Sequence, residues 1–552
     1  KSDQYDRDKL QADIDRLESF YRDRGFMDFA VTSTQVSLSP DRKWIYLTVN
    51  VDEGKVYRVK GYQLQGDLIV PRTELESLIT FKPGDRYNRS EVRKSTDALR
   101  TRLADEGYAQ AQVNIVPNAD KLSGEVSFDI LVTPGIKTYV RQIGFTGNTK
   151  TYDRVLRREL RQQEASLYSG SDVARSEERL RRLPQVETLE QAIHPVPGTP
   201  DQVDLEYKIT ERSTSSIQGG VGYGQSSGAL FNLEYNDNNF LGTGNSLGIN
   251  FGKSSSEQRY GFDFTDPYFT ADGVSINYAF DYSKTNYRKE RLSDWAADTL
   301  DATITFGYPL TEYQSVYFGG GFRTLKINTG DNVASEITDY LNKKGRRYKE
   351  GVVTLAWNKD TQDNTYLPTK GSLNKISGEI TLPGSDDTYY KIGYRNRTYF
   401  PLNDDKSLIL GLRGDIAYGG GYGKTDDLPF YRHYYAGGLT TVRGFEHSSL
   451  GPRYSNGDTS GGDFRTVGGV ELMTPWKINE KSNNVRVGTF IDFGNVYSKP
   501  KDFDLGEFRY SGGLFVQWMS PLGPLNLSYA VPIKKKDGDE KEAFQFSFGM
   551  GF

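Results

Sequence analysis

The chain closes on FQFSFGMGF, in which Phe544, Phe546, Phe548, Met550 and Phe552 share one side and Gln545, Ser547, Gly549 and Gly551 the other. This period of two governs everything from residue 213 onward, where helical periodicity disappears. Phe231, Leu233 and Tyr235 alternate with polar residues, as do Val274, Ile276, Tyr278, Phe280 and Tyr282. Leu408, Leu410 and Leu412 repeat the pattern, and so do Leu525, Leu527, Tyr529 and Val531. About sixteen such runs fill residues 213–552, joined by alternately short and long connections. A soluble sandwich shows the same alternation. Here the strands are many, aromatic residues fall near strand ends, and the last residue is an aromatic. A sheet in lipid cannot leave an edge open, so it closes into a barrel. We expect 213–552 to be an all-β antiparallel transmembrane barrel.

Composition narrows the rest. The 552 residues exceed one ordinary domain. There is no cysteine, which excludes disulfides and thiolate metal sites. A net charge of -4 lacks the basic surplus that binding nucleic acid needs. Mean hydropathy is -0.64, and no apolar run reaches the length of a transmembrane helix. Lys1 opens into a polar stretch rather than a signal peptide.

The first 212 residues read differently. Residues 6–24 form an amphipathic helix with Leu10, Ile14, Leu17 and Tyr21 on one face, followed by strands at 30–36 and 45–51. A repeat then appears. VDEGKVYRV (51–59) matches VTPGIKTYV (132–140), with Gly54 and Gly135 separated by 81 residues. YQLQGD (62–67) recurs as IGFTGN (143–148), and RDRGF (22–26) as ADEGY (104–108). Each unit reads strand–helix–helix–strand–strand. Complete units span 57–136 and 137–212, and 1–56 holds the second half of another. Half a unit cannot bury a core, so the natural protein is expected to extend upstream.

In the barrel half, the connection 419–463 is the longest, and connections of that length are usually functional or disordered. Its centre places Val442 and Phe445 around Arg443. A loop that folds into a wide barrel must give a buried arginine a partner. Parity supplies candidates: in VGGVELMT, Val470 and Leu472 face lipid, so Glu471 faces the lumen. In VRVGTFIDFGN, Val487, Thr489, Ile491 and Phe493 share a face opposite Asp492. Either these acids receive Arg443, whose planar fork suits two carboxylates, or they are ordinary polar lining.

No catalytic pattern is present. His194, His433 and His447 lie in loops or connections without metal-ligand spacing. GGVGYG (219–224) lacks the Lys-Ser/Thr of a nucleotide cradle. KKKDGDEKE (534–542) reads as a solvated hairpin tip. Gly219, Gly220, Gly222 and Gly224 weaken a strand that must pair with the last one, at 543–552, to close the barrel. Either this makes a seam that opens sideways, or the glycines relieve crowding at a barrel corner.

Several motifs together resemble the BamA family of outer-membrane protein assembly factors of Gram-negative bacteria. They are VRGF (442–445), QWMSPLGPL (517–525), DPYFTADGVS (266–275), NFLGTG (239–244) and the aromatic-ended last strand. The resemblance covers the whole chain and implies periplasmic α+β POTRA repeats followed by a sixteen-stranded barrel in the outer membrane. It implies that Val442, Arg443, Gly444 and Phe445 tuck into the lumen and that Arg443 pairs with Glu471 and Asp492. Some relatives carry a cysteine pair in this loop; here the loop must hold its shape without one. It also implies an insertase that works without nucleotide or cofactor. Unfolded barrel clients would template on the first strand and leave through a lateral seam lined by Gly219, Gly220, Gly222, Gly224, Phe544, Phe546, Phe548 and Phe552. Periplasmic lipoproteins would dock on the unit nearest the barrel. Its first helix, expected at 152–163, carries Arg154, Arg157, Arg158 and Arg161, with Glu164 after it. The alternative is a two-partner secretion pore. Such exporters usually carry two POTRA units and a plug helix, and this chain shows an extra partial unit and no plug pattern. A passive porin would need no repeats.

Overall fold

The computed structural model describes residues 7–41, 44–225, 227–290, 292–311, 313–364, 366–403, 406–476, 484–520 and 523–549. They form two compact units, Lys1–Arg212 and Ser213–Phe552.

The first unit is a row of α+β repeats. It opens with helix Arg7–Arg22 and the antiparallel hairpin Ala30–Leu38 and Ile45–Asp52. In the next repeat, Arg58–Gly66 runs parallel to Glu125–Thr133, which pairs antiparallel with Gln112–Asp120. Helix Arg89–Asp105 lays Leu99 and Leu103 on that sheet, against Val113, Phe128 and Ile130. Its start is capped by the Asn88 side chain, which accepts from Glu91 N at 3.1 Å. The third repeat has the same plan. Tyr139–Thr146 is parallel to Gln202–Glu211, beside Val186–Pro195, and helix Gly170–Arg181 covers the sheet.

One joint recurs between repeats. The Asp23 carboxylate accepts from the backbone N–H and the hydroxyl of Ser90, in the first turn of helix Arg89–Asp105. Asp105 accepts from Ser171 N at 2.7 Å and from the Ser169 hydroxyl at 3.0 Å, at the start of helix Gly170–Arg181. The nearby carbonyls of Gly25 and Gly107 accept from Tyr57 N and Thr138 N. Both glycines hold positive φ, which favours residues without a Cβ. RDRGF and ADEGY are therefore more than a repeat signature: each sets the next repeat on its predecessor.

The helix expected at 152–163 is shorter than its sequence suggests, spanning Asp153–Arg157. Beyond it the chain turns away because Arg161 N and Gln162 N donate to the Ser176 hydroxyl of the neighbouring helix.

The second unit is a closed barrel of sixteen strands, each antiparallel to its neighbours, from Ser215–Gly224 to Phe544–Phe548. Outward residues are apolar and exposed, among them Phe231, Phe262, Phe280, Ile304 and Leu514. Most seams are long. Trp295–Thr311 pairs with Gln314–Thr329 from Trp295↔Thr329 to Thr311↔Gln314. The closing seam is short: the first and last strands are in register only at Tyr223↔Phe548 and Gly224↔Ser547 among the described residues. The last strand, expected over 543–552, spans Phe544–Phe548. Met550 and Phe552 lie outside the described residues.

Candidate functional site: the loop anchor and the closing seam

Connection 422–463 folds back inside the barrel. Val442 and Phe445 are fully buried and pack with Ala436, Leu450, Val467 and Val496. Between them Arg443 meets the acids that parity assigned to the lumen. Its Nε donates to Asp492 Oδ2 at 2.7 Å, and one terminal nitrogen donates to Asp492 Oδ1 at 2.9 Å and Glu471 Oε1 at 2.7 Å. Its backbone N–H donates to Asp492 as well, at 3.1 Å. The guanidinium lies 3.5 Å over the Phe490 ring and 5.4 Å from the centre of the neighbouring Phe515 ring. A fork with both carboxylates and an aromatic face satisfies a buried arginine where a solvated one needs none of them. Gly444 holds φ +85°, and a Cβ there would stand 3.0 Å from that of Ala530. The motif's glycine is thus required by both conformation and space.

The sequence reading missed a second arginine. Arg413, on strand Ile409–Gly421, reaches Asp492 Oδ2 at 2.7 Å and donates to the carbonyls of Thr440 and Thr441. Leu410 and Leu412 face lipid, so the alternation already placed Arg413 on the inner face. It also missed a second hold on the loop. In turn Phe430–Arg432, Tyr431 donates to Asp387 at 2.8 Å and Glu350 at 3.1 Å, and Arg432 donates to Glu350 at 3.3 Å. Lys391 donates to the Arg432 carbonyl at 2.9 Å. Bridges at Tyr434↔Gly462, Ala436↔Leu450 and Arg453↔Thr459 knit the loop's limbs without any disulfide.

At the closing seam the glycines differ. A Cβ on Gly222 would come 2.5 Å from the Phe548 carbonyl, whereas one on Gly219 would meet nothing within 4 Å. Gly224 abuts the Ser227 hydroxyl, and Gly220 sits opposite Asn232 in the neighbouring seam. Tyr223 stacks on Phe546 at 5.5 Å across the seam, and Phe544 is exposed. Phe552 lies outside the described residues. Where the first strand stops, the Gln225 side chain continues the pairing: its amide donates to the Phe544 carbonyl and accepts from Phe546 N, both at 3.2 Å.

The run 534–542 is not a freely solvated tip. Lys541 and Glu542 pair with Phe445 and Gly444, and Asp539 holds Arg509 at 2.9 Å. The basic residues of the third repeat are less gathered than the expected helix implied. Arg157 reaches Glu164 at 3.0 Å, while Arg154 lies over Tyr152 and Arg161 donates to the adjacent Leu160 carbonyl. Arg158 approaches Glu159 at 4.0 Å. Glu164 also accepts from Ile143 N at 2.8 Å, and that bond, with help from Arg157, holds its carboxyl below the ordinary range against a smaller opposing effect of burial. His194 lies on strand Val186–Pro195 rather than in a loop, 3.0 Å from Glu206.

The chain matches known proteins along its length. The Omp85 superfamily domain model covers residues 239–552, and the POTRA model, a surface antigen variable number repeat, covers 1–54, 57–135 and 138–212. The outer membrane protein assembly factor BamA of Neisseria meningitidis serogroup B is 34% identical over all of this chain and 74% of its own length. That of Nitratidesulfovibrio vulgaris is 25% identical over 98% of this chain and 67% of its own. The crystal structure of Haemophilus ducreyi BamA lacking POTRA domains 1–3 superposes with a TM-score of 0.78 at 34% identity, covering 89% of this chain and 99% of that one. CdiB from Escherichia coli, 16% identical with a TM-score of 0.52 over 99% of this chain and 98% of its own, shares the fold. An outer-membrane chain of POTRA repeats and a sixteen-stranded barrel, this protein belongs to the BamA family of assembly factors within the Omp85 superfamily.

Proposed function

We propose that this protein folds and inserts β-barrel proteins into the outer membrane without nucleotide, and that its clients leave through the closing seam. One observation carries the reading. Where Trp295–Thr311 and Gln314–Thr329 pair along nearly their whole length, and the last strand pairs with Gly523–Lys534 at five positions, the first and last strands share two register pairs among the described residues. Backbone groups at an unmatched edge seek partners, and an incoming strand can supply them. Opening the two described pairs costs less than opening a seam such as that between Trp295–Thr311 and Gln314–Thr329, which supports opening without nucleotide. Family membership favours assembly over the secretion-pore alternative.

Arg443 with Glu471 and Asp492 seats the long loop inside the barrel on strands Phe464–Pro475 and Val485–Tyr497. The unfolded client binds the exposed edge of the first strand through its backbone. Periplasmic lipoproteins of the assembly complex dock on the third repeat at Arg154, Arg157, Arg158, Arg161 and Glu164, of which Arg154, Arg161 and Glu164 are exposed and the half-buried Arg157 pairs with Glu164.

The absence of cysteine makes the test direct. Gly224→Cys with Ser547→Cys places two thiols at a register pair of the seam. Oxidised protein is expected to insert no client barrels into liposomes or outer membranes while keeping the mobility of a folded barrel, and reduction is expected to restore insertion. Insertion at the unlocked rate by fully cross-linked protein defeats lateral exit and leaves a lumenal or membrane-thinning route.

A further inference from the structure

The two parts of the site are joined by side chains, and the joint is one glutamine. Gln545, on the inner face of the last strand, is 2% exposed. Its Oε1 accepts from Gly444 N at 3.2 Å, and its Nε2 donates to the Phe445 carbonyl at 2.7 Å. The same Nε2 donates to Glu542 Oε2 at 3.2 Å, and Glu542 Oε1 accepts from Gln225 at 2.7 Å. Gln225 in turn supplies the seam's third point of pairing, on Phe544 and Phe546. An unbroken series of contacts therefore runs from Asp492 through Arg443 and its neighbour Gly444 to Gln545, Glu542, Gln225 and the backbone of the last strand.

We propose that Gln545 is a positioning residue that couples the seating of the long loop to closure of the seam, an inference that rests on the lateral-exit reading above. A backbone ladder holds whatever the nearby loops do. A seam completed by a side-chain amide holds only while that amide is aimed. When the loop leaves, Gln545 loses both backbone partners, and a buried amide left unpaired is costly. Left with Glu542 as its one remaining partner in this set, it pulls on the carboxylate that orients Gln225, and the seam loses its third point. Coupling of this kind is reciprocal: opening the seam weakens the loop's seating by the same factor as releasing the loop weakens closure of the seam.

The rate of disulfide formation between Gly224→Cys and Ser547→Cys, under mild oxidation in membranes, reads seam closure. Arg443→Ala and Gln545→Leu are each expected to slow it about three- to tenfold, the effect of losing one or two hydrogen bonds. The double variant is expected to be no slower than the slower single one, because both cut the same path. Gln225→Ala, at the far end, is expected to mask Arg443→Ala in the same way and serves if Gln545→Leu does not fold. Multiplying effects, or an unchanged rate in Arg443→Ala, overturn the relay. Those results leave the seam reading standing as long as the cross-link blocks insertion; a cross-link that leaves insertion untouched removes the seam reading itself.

Discussion

Two seams of one barrel are closed by different means. Between Trp295–Thr311 and Gln314–Thr329 the backbones pair over nearly the whole strand. Between the first and last strands two register pairs are supplemented by a close glycine, an aromatic stack and a borrowed amide. The first seam is strong because its bonds are many and independent of side chains. The second depends on what its side chains touch, which includes the long loop held by Arg443. On the coupling proposed above, the difference separates a wall that must persist from a margin whose strength is set from elsewhere in the molecule.

The largest effect that sharpens this comparison is expected from Arg443→Ala. Asp492 keeps Arg413, so the loss is about 3 kcal/mol, the low end for breaking a buried pair. It should appear as faster proteolysis within 422–463 and reduced client insertion, with the barrel still folded by its heat-dependent gel mobility. Protease resistance equal to the parent's contradicts the anchor. A smaller effect separates the seams by one chemical change made in each. Gly222→Ala pushes a Cβ toward the Phe548 carbonyl and is expected to cost roughly 1–2 kcal/mol of seam closure. Gly320→Ala in the long seam, where the nearest atom would stand 3.6 Å away, is expected to cost nothing measurable. Cross-linking at 224 and 547 reads the first and thermal unfolding the second. Equal behaviour erases the distinction.

The smallest effect lies in the repeats, away from either seam. Because Ile143 N–H and Arg157 hold the Glu164 carboxyl below its ordinary value, its contribution to stability is present above that value. It is lost as pH falls through the depressed one. With the side chain 42% exposed, screening limits this to about 0.5 kcal/mol, measured on the isolated repeats by unfolding between neutral and acid pH. Glu164→Lys is expected to weaken co-purification of lipoprotein partners, whereas Glu164→Gln, which keeps an acceptor for Ile143, is expected to weaken it less. Equal retention of partners by both variants speaks against docking there.

Much of this is legible in the sequence alone. Alternation marked the strands, the 81-residue spacing marked the repeats, and parity put Glu471 and Asp492 where Arg443 reaches them. Parity held Arg413 as well, but nothing in a run of alternating residues says which inner charge meets a distant loop. The bonds of Gln225 and Gln545 were illegible for a different reason. A glutamine among polar residues looks alike whether it faces water or completes a ladder, and which it does depends on where the first strand ends. The region 152–163 failed because helical spacing continues past Arg157, while a serine on the neighbouring helix draws the backbone out of register.

The aspartates that join the repeats carry a mechanical consequence. A peptide linker passes tension and little else, but a carboxylate set on a helix start, with a glycine carbonyl bonded beside it, resists bending and twisting too. With Asp23 and Asp105 making the same joint 82 residues apart, rotation of one repeat against the next must break the same bonds at both joints. Each joint thereby adds a resistance to twisting that a bare linker lacks.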